Sequence, residues 1–161
     1  MEKDTSFNIR PSTPADTRLI LKFILELAEY EKMTDQVMAT ADILKEWLFE
    51  KRTAEVVIAE LDSVPVGYML FFQNFSTFLG RGGIYLEDLY IQPHARGKGF
   101  GKQLLKYLAA EAVKRGCGRM EWACLDWNRP SIDFYLSLGA QPMDEWTTYR
   151  LSGDALRQLA N

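Results

Sequence analysis

The sequence predicts an α/β fold: a mixed central β-sheet with helices on both faces, in the element order βααβββαβαββ. Three observations lead there. A β-branched run, Glu55–Leu61, turns at Asp62-Ser63 and returns as Val64–Phe72, which is the pattern of an antiparallel hairpin. A further strand-like run, Ile84–Ile91, passes through a glycine-rich loop into an amphipathic stretch, Lys102–Lys114. That is the pattern of a parallel, right-handed βαβ unit. Near the N-terminus, Leu19, Ile20, Phe23, Ile24, Leu27 and Ala28 recur at helical spacing. With 161 residues and no linker or repeat, residues 1–161 read as one domain with room for a real core.

Composition narrows the function classes. The chain is 47% hydrophobic and 25% charged, as an ordinary globular protein is. A net charge of −3 argues against a nucleic-acid partner and is compatible with a cationic substrate. The two cysteines, Cys117 and Cys124, form no CxxC, and His94 is the only histidine. A disulfide scaffold, a zinc site or a histidine-based triad therefore has too little material, and no metal is expected. No apolar run reaches the ~18 residues of a membrane span, and Met1–Arg10 lacks a signal-peptide core, so a cytoplasmic protein with no membrane partner is the default.

In chain order, Phe7–Arg10 reads as a first strand and Pro11–Pro14 as a turn. Thr13 is placed to cap a helix over Ala15–Glu31, with Pro14 at its first position. That helix ends in the polar cluster Glu29-Tyr30-Glu31-Lys32. Thr40 caps a second helix, Ala41–Phe49. After the hairpin, Asn74–Gly83 reads as a loop marked by Gly80, Gly82 and Gly83. The next strand carries Glu87 and Asp88 at its centre. Gly116 and Gly118 end the Lys102–Lys114 helix. Arg119–Leu125 is a strand and Asn128–Leu138 a short helix capped by Asn128. Ala140–Met143 and Trp146–Leu151 read as two terminal strands, followed by a small helix from Asp154.

The stretch Arg96-Gly97-Lys98-Gly99-Phe100-Gly101-Lys102 organises the rest. A glycine at a helix start gives up ~1 kcal/mol relative to alanine, so three of them need compensation. Close approach of backbone N–H groups to an anion supplies it, since orphan N–H groups and the helix dipole favour phosphate. A Walker loop fails because Gln103 stands where a magnesium-binding hydroxyl is required. A dinucleotide fingerprint fails because Lys102 replaces its third glycine. What is left is R-G-x-G-x-G opening a helix after an acidic strand.

That pattern resembles the GNAT superfamily of acetyl-coenzyme-A-dependent N-acetyltransferases. The strand Tyr85-Leu86-Glu87-Asp88-Leu89-Tyr90-Ile91 and the segment Trp127-Asn128-Arg129-Pro130-Ser131-Ile132-Asp133-Phe134-Tyr135 strengthen it. Within the superfamily the chain is similar to the diamine/polyamine (spermidine/spermine) and thialysine acetyltransferase branch, through Ile9-Arg10-Pro11, Glu26–Glu31 and Tyr85–Asp88. The resemblance implies a GNAT fold, with the strands Tyr85–Ile91 and Arg119–Leu125 splayed around acetyl-CoA as cosubstrate. It implies that Leu89, Tyr90 and Ile91 hold the pantetheine arm through their backbones. Gly97, Lys98, Gly99, Phe100, Gly101 and Lys102 then hold the pyrophosphate with Arg96 beside them, and Asn128 and Ser131 touch the same molecule. A homodimer is also implied.

The chemistry must free an amine lone pair and protonate a departing thiolate. An alkyl ammonium has a pKa near ~10.4, so deprotonation at pH 7 costs roughly 4–5 kcal/mol. Glu87, directly or through water, is the first candidate to accept that proton, with Asp88 second. Neighbours on a regular strand face opposite ways, so a bulge is needed for both to reach one cleft. Tyr135 matches the family's general acid, at the sulfur. Tyr30, Glu31, Glu87, Asp88 and Trp122 are the substrate-side candidates, the acids suiting a small cationic amine. Direct transfer in a ternary complex needs no cysteine nucleophile. A protein or peptide amine as acceptor, or a non-catalytic CoA-binding sensor, are the alternatives.

Overall fold

A computed structural model of the chain describes residues 5–161. The leader-free reading of Met1–Arg10 therefore lies partly outside the described residues. The chain divides into two compact units, Met1–Ala123 and Cys124–Asn161.

The first unit is built on a five-stranded sheet in the order β1 (Phe7–Pro11), β2 (Glu55–Leu61), β3 (Val64–Ser76), β4 (Arg81–Ile91), β5 (Met120–Trp122). The first three pairings are antiparallel and β4–β5 is parallel, so the sheet is mixed as expected. Helix α1 (Thr17–Tyr30) and helix α2 (Ala41–Lys45) cover one face. Ile20 and Phe23 of α1 and Leu48 pack there against Val56, Ile58, Tyr68 and Tyr90 of three adjacent strands. Helix α3 (Phe100–Lys114) contacts β4 and brings Gly101 beside Leu89, which alternates with Tyr90 and so faces the other way. Its buried row, Leu104, Leu105, Leu108 and Ala112, closes the second face. Thr40 caps α2 by accepting from the Ile43 N–H at 3.3 Å, and α2 continues into a π-helical turn, Glu46–Glu50.

Two stretches of the sheet differ from the sequence reading. The loop expected over Asn74–Gly83 is mostly hairpin: β3 runs to Ser76 and β4 starts at Arg81. Buried Ser76 closes the tight turn, with its hydroxyl accepting from the Leu79 N–H at 3.2 Å. Gly83 marks a close approach, since a Cβ there would sit 2.6 Å from the Asn74 side chain. The strand expected over Arg119–Leu125 is only Met120–Trp122, because its ladder to β4 ends at Leu86↔Trp122.

The second unit holds α4 (Arg129–Ser137) and α5 (Gly153–Leu159). The strands expected at Ala140–Met143 and Trp146–Leu151 do not form. Among the described residues no ladder reaches this stretch, and Trp146 and Tyr149 are 76% and 92% exposed. Strand propensity expresses itself only where a neighbouring strand and a half-buried surface receive it.

Arg10 ties the first strand to the start of α1. Its guanidinium donates to both Asp16 oxygens at 2.9 Å and to Glu60 at 2.5 Å. This holds the Asp16 carboxyl below its ordinary value of 3.8. Asp16 also accepts from the Thr13 N–H at 2.8 Å, so it is fully engaged. A depressed carboxylate stabilises above its unfolded pKa and loses that contribution as pH falls through the folded one. Asp16→Asn is therefore expected to lower stability at pH 7 by about 1–3 kcal/mol. In thermal melts across pH, the gap from wild type should narrow below the ordinary carboxylate value.

Candidate active site

The acidic strand reaches its site through a slip in register. Leu70 of β3 pairs with Asp88, but the next residue, Phe71, pairs with Leu86. Glu87 is the extra residue of a β-bulge. Tyr68↔Tyr90 and Leu70↔Asp88 share the helix α1 side of the sheet, and Phe72↔Tyr85 returns to that side beyond the bulge. Counting by twos from Tyr85 reaches Glu87, and from Tyr90 reaches Asp88. The bulge thus brings both carboxylates to one face, the condition the strand needed. Glu87 is exposed and Asp88 half-buried.

The end of α1 faces the same cluster. Glu31 is its C-cap, and the chain closes there with Met33 N–H donating to the Ala28 carbonyl at 2.8 Å and Lys32 N–H to Glu29 at 3.1 Å. Lys32 takes a positive φ of 59° to make this turn, a conformation glycine usually supplies. Burial, then the neighbouring Asp88 charge, pushes the Glu31 carboxyl up. Burial also pushes Asp88 up, opposed by a hydrogen bond from Tyr68, whose hydroxyl donates to Asp88 Oδ2 at 2.7 Å. Tyr68 is fully buried, and its phenol is pushed far up by burial, Asp88, Glu31 and Glu87. The sequence reading missed Tyr68.

The glycine loop opens α3 as the sequence implies. Gly97 and Gly99 have φ of 75° and 81°, and a Cβ at either would meet nothing within 4 Å. Both positions therefore need glycine for conformation and leave the loop open to approach. The first ladder bond of α3 is Gln103 N–H to the Gly99 carbonyl at 3.1 Å, so the N–H groups of Phe100, Gly101 and Lys102 precede it as orphan donors. Lys98 and Lys102 are exposed beside them. Arg96 turns the other way. Its Nε donates to the Ile91 carbonyl at 2.7 Å, and its guanidinium lies 5.0 Å from the Tyr30 ring and 5.5 Å from that of Tyr90. Gln92 adds a second link to α1 by donating to Glu26 at 3.1 Å. Beyond Leu86, β4 runs on through Leu89, Tyr90 and Ile91 without β5 paired alongside. Open glycines and orphan N–H donors, beside a length of β4 that β5 does not pair, together fit a phosphate-bearing ligand with an extended amide arm.

Tyr30, Glu31, Glu87, Asp88 and Tyr68 are thus brought together, with Arg96 reaching Tyr30 from the loop. Trp122 pairs with Leu86 on β5, just before the splay. Asn128, Ser131 and Tyr135 belong to the second unit. Asn128 caps α4 by accepting from the Ser131 N–H at 3.4 Å, and Tyr135, half-buried, lies against Phe134 with ring centroids 5.7 Å apart.

Comparison with known proteins identifies the class. Residues 21–140 match the acetyltransferase (GNAT) family model. The chain is 40% identical to the thialysine N-epsilon-acetyltransferase of Bos taurus, covering 94% of this chain and 96% of that one. It is 34% identical to the L-ornithine N5-acetyltransferase NATA1 of Arabidopsis thaliana, covering 94% and 86%. The solved integron cassette protein VCH_CASS6 from the mobile metagenome of V. cholerae superposes with a TM-score of 0.81 at 29% identity, covering 96% and 98%. The family match and the fold define an acyl-transferring enzyme of α/β type. The chain belongs to the GNAT family and is an N-acetyltransferase.

The cluster makes one charge prediction. Because Asp88 raises Glu31, Asp88→Asn should let the Glu31 carboxyl titrate at lower pH than in wild type. Side-chain carboxyl ¹³C shifts followed through a pH titration measure it.

Proposed function

We propose that this enzyme transfers acetyl from acetyl-CoA to a primary amine of a small cationic acceptor, of thialysine, ornithine or diamine type. The observation that carries the reading is the bulge at Glu87, which turns Glu87 and Asp88 to the face occupied by Glu31. Three carboxylates on one face suit an acceptor bearing more than one positive charge. The relatives' named substrates, thialysine and ornithine, support the same class.

Bound acetyl-CoA supplies an activated thioester acetyl. The N–H groups of Gly97 to Lys102 would hold its pyrophosphate, with Lys98 and Lys102 adding charge, and the β4 edge over Leu89, Tyr90 and Ile91 would receive its amide arm. Arg96 secures the loop to Ile91 and Tyr30 from the side. Asn128 and Ser131 are assigned to the same ligand on family resemblance. On the acceptor side, Glu31 and Asp88 hold the ammonium groups with Tyr30 and Trp122 beside them. Glu87, the most exposed of the three acids, takes the proton from the reacting amine, directly or through water. The Tyr135 hydroxyl carries the proton for the sulfur. Transfer without a covalent enzyme intermediate leaves Cys117 and Cys124 outside the chemistry. The family match spans both compact units, which supports reading residues 1–161 as one acetyltransferase domain. A homodimer and a cytoplasmic location belong to the same reading. Among the described residues no helix is long and apolar enough to cross a membrane.

The test is thiol release from acetyl-CoA against thialysine, ornithine, lysine, putrescine, spermidine and a peptide panel. Activity on the small amines with silence on peptides is expected, and the reverse pattern would move the acceptor to a protein amine. Tyr135→Phe and Glu87→Gln should each lower kcat by about 10²–10⁴-fold while leaving acetyl-CoA binding intact. Unchanged turnover in either variant removes that residue from its role. Gly99→Ala, which forces a side chain into φ of 81°, should cost roughly 1–2 kcal/mol of stability and weaken acetyl-CoA binding, read by calorimetry.

A further inference from the structure

We propose that Tyr68 is a positioning residue for the acceptor: its hydroxyl holds Oδ2 of Asp88 and so fixes how that carboxylate meets the amine. The inference rests on the acetyl-transfer reading above and adds a residue that touches neither substrate.

Tyr68 lies at the centre of β3 with no exposed surface. Its ring stacks on Phe23 of α1, with centroids 5.8 Å apart and planes within 7°. For that packing alone phenylalanine would serve, and would spare a buried hydroxyl the need for a partner. The hydroxyl has one, Asp88 Oδ2 at 2.7 Å. An ionised carboxylate accepts at two oxygens, so this bond uses one and leaves lone pairs of the other for an ammonium. The partner sits one residue past the bulge, where a backbone irregularity leaves the side chain in need of an anchor. β3 supplies that anchor from the neighbouring strand.

The bond also sets the charge of Asp88. The groups around it are Tyr68 on β3, Glu31 at the end of α1 with Lys32 next along the chain, and Glu87 on β4. Burial raises the Asp88 carboxyl and the Tyr68 donation opposes it. Without the hydroxyl, the rise is unopposed. Asp88 then takes up a proton at higher pH and ceases to attract a cation over a wider acidic range.

The experiment compares wild type, Tyr68→Phe, Asp88→Asn and the double variant, using whichever amine of the panel wild type acetylates best. Tyr68→Phe should lower kcat/KM for the amine about 10- to 100-fold, mostly through KM. The acid limb of its kcat/KM profile should move to higher pH, and acetyl-CoA affinity should stay unchanged. The double variant should be no worse than Asp88→Asn alone, since Tyr68 acts through Asp88. A purely packing role would leave the acid limb in place and make the two losses multiply, and either result overturns the inference. Where Tyr68→Phe does not fold, the wild-type Asp88 ¹³C titration decides: insensitivity of Asp88 to the phenol, seen with tyrosine fluorinated at the ring to acidify the hydroxyl, also overturns it. Wild type inert toward every amine would instead remove the acetyl-transfer reading, and this role with it.

Discussion

Leu70 and Phe71 are consecutive on β3, yet their partners on β4 are Asp88 and Leu86. That one-residue excess decides what the acidic strand can do. Without it, Leu86 and Asp88 would share a face, and a strand that buries Leu86 would bury Asp88 beside it. With it, the apolar residue stays in one core while both carboxylates turn to the other side. The strand thereby serves two periods: the hydrophobic alternation that fixes its register, and a local break that aims charge. The end of α1 and the Tyr68 hydroxyl are useful only because the bulge delivers Asp88 to them.

The same strand ends in the glycine loop, so the two halves of the proposed chemistry share one element. β4 leads from the acids at Glu87 and Asp88 to Ile91, and Ile91 offers its carbonyl to Arg96. Arg96 lies over Tyr30, the neighbour of Glu31, and Gln92 holds Glu26 one helical turn earlier. Helix α1 is therefore pinned to the loop at two points on one of its faces. This keeps the Glu31 end of the helix in step with the loop's N–H donors. Arg96 had read as one more cation for an anion, and its observed partners give it a bracing role from the loop side.

The hairpin, the parallel βαβ unit and the loop were legible because they rest on local chemistry. Alternation over Glu55–Phe72, the Asp62-Ser63 turn and the glycines before a leucine-rich helix each carry their own signal. The need for a bulge at Glu87 and Asp88 was legible as a requirement, though its position depends on β3 and so on pairing. Tyr68 went unseen for the same reason: within its strand it is one more apolar-period residue, and only cross-strand register puts it opposite the acids. Gly82 and Gly83 looked like turn residues because close strand packing and tight turns both favour glycine. The terminal stretches Ala140–Met143 and Trp146–Leu151 carry strand-like residues, but a strand is made by its neighbour, and none reaches them among the described residues.

The charge state of the acidic cluster follows from linkage. Glu31 and Asp88 are both pushed up, by burial first. A group whose ionisation is opposed by burial gains most from an arriving cation, because the cation supplies what lost solvent no longer does. Acceptor binding and carboxylate ionisation therefore favour each other, and by reciprocity each acid should hold its proton less tightly once the amine is bound. The reacting amine needs the opposite, since it must lose a proton before it can act. On the proposed reading, one acid left exposed at the bulge, Glu87, beside two that are withdrawn, would separate the two tasks: the sheltered pair would bind charge, and the solvated one would pass a proton to water. Tyr68 would support that division, since its only hydroxyl is committed to Asp88.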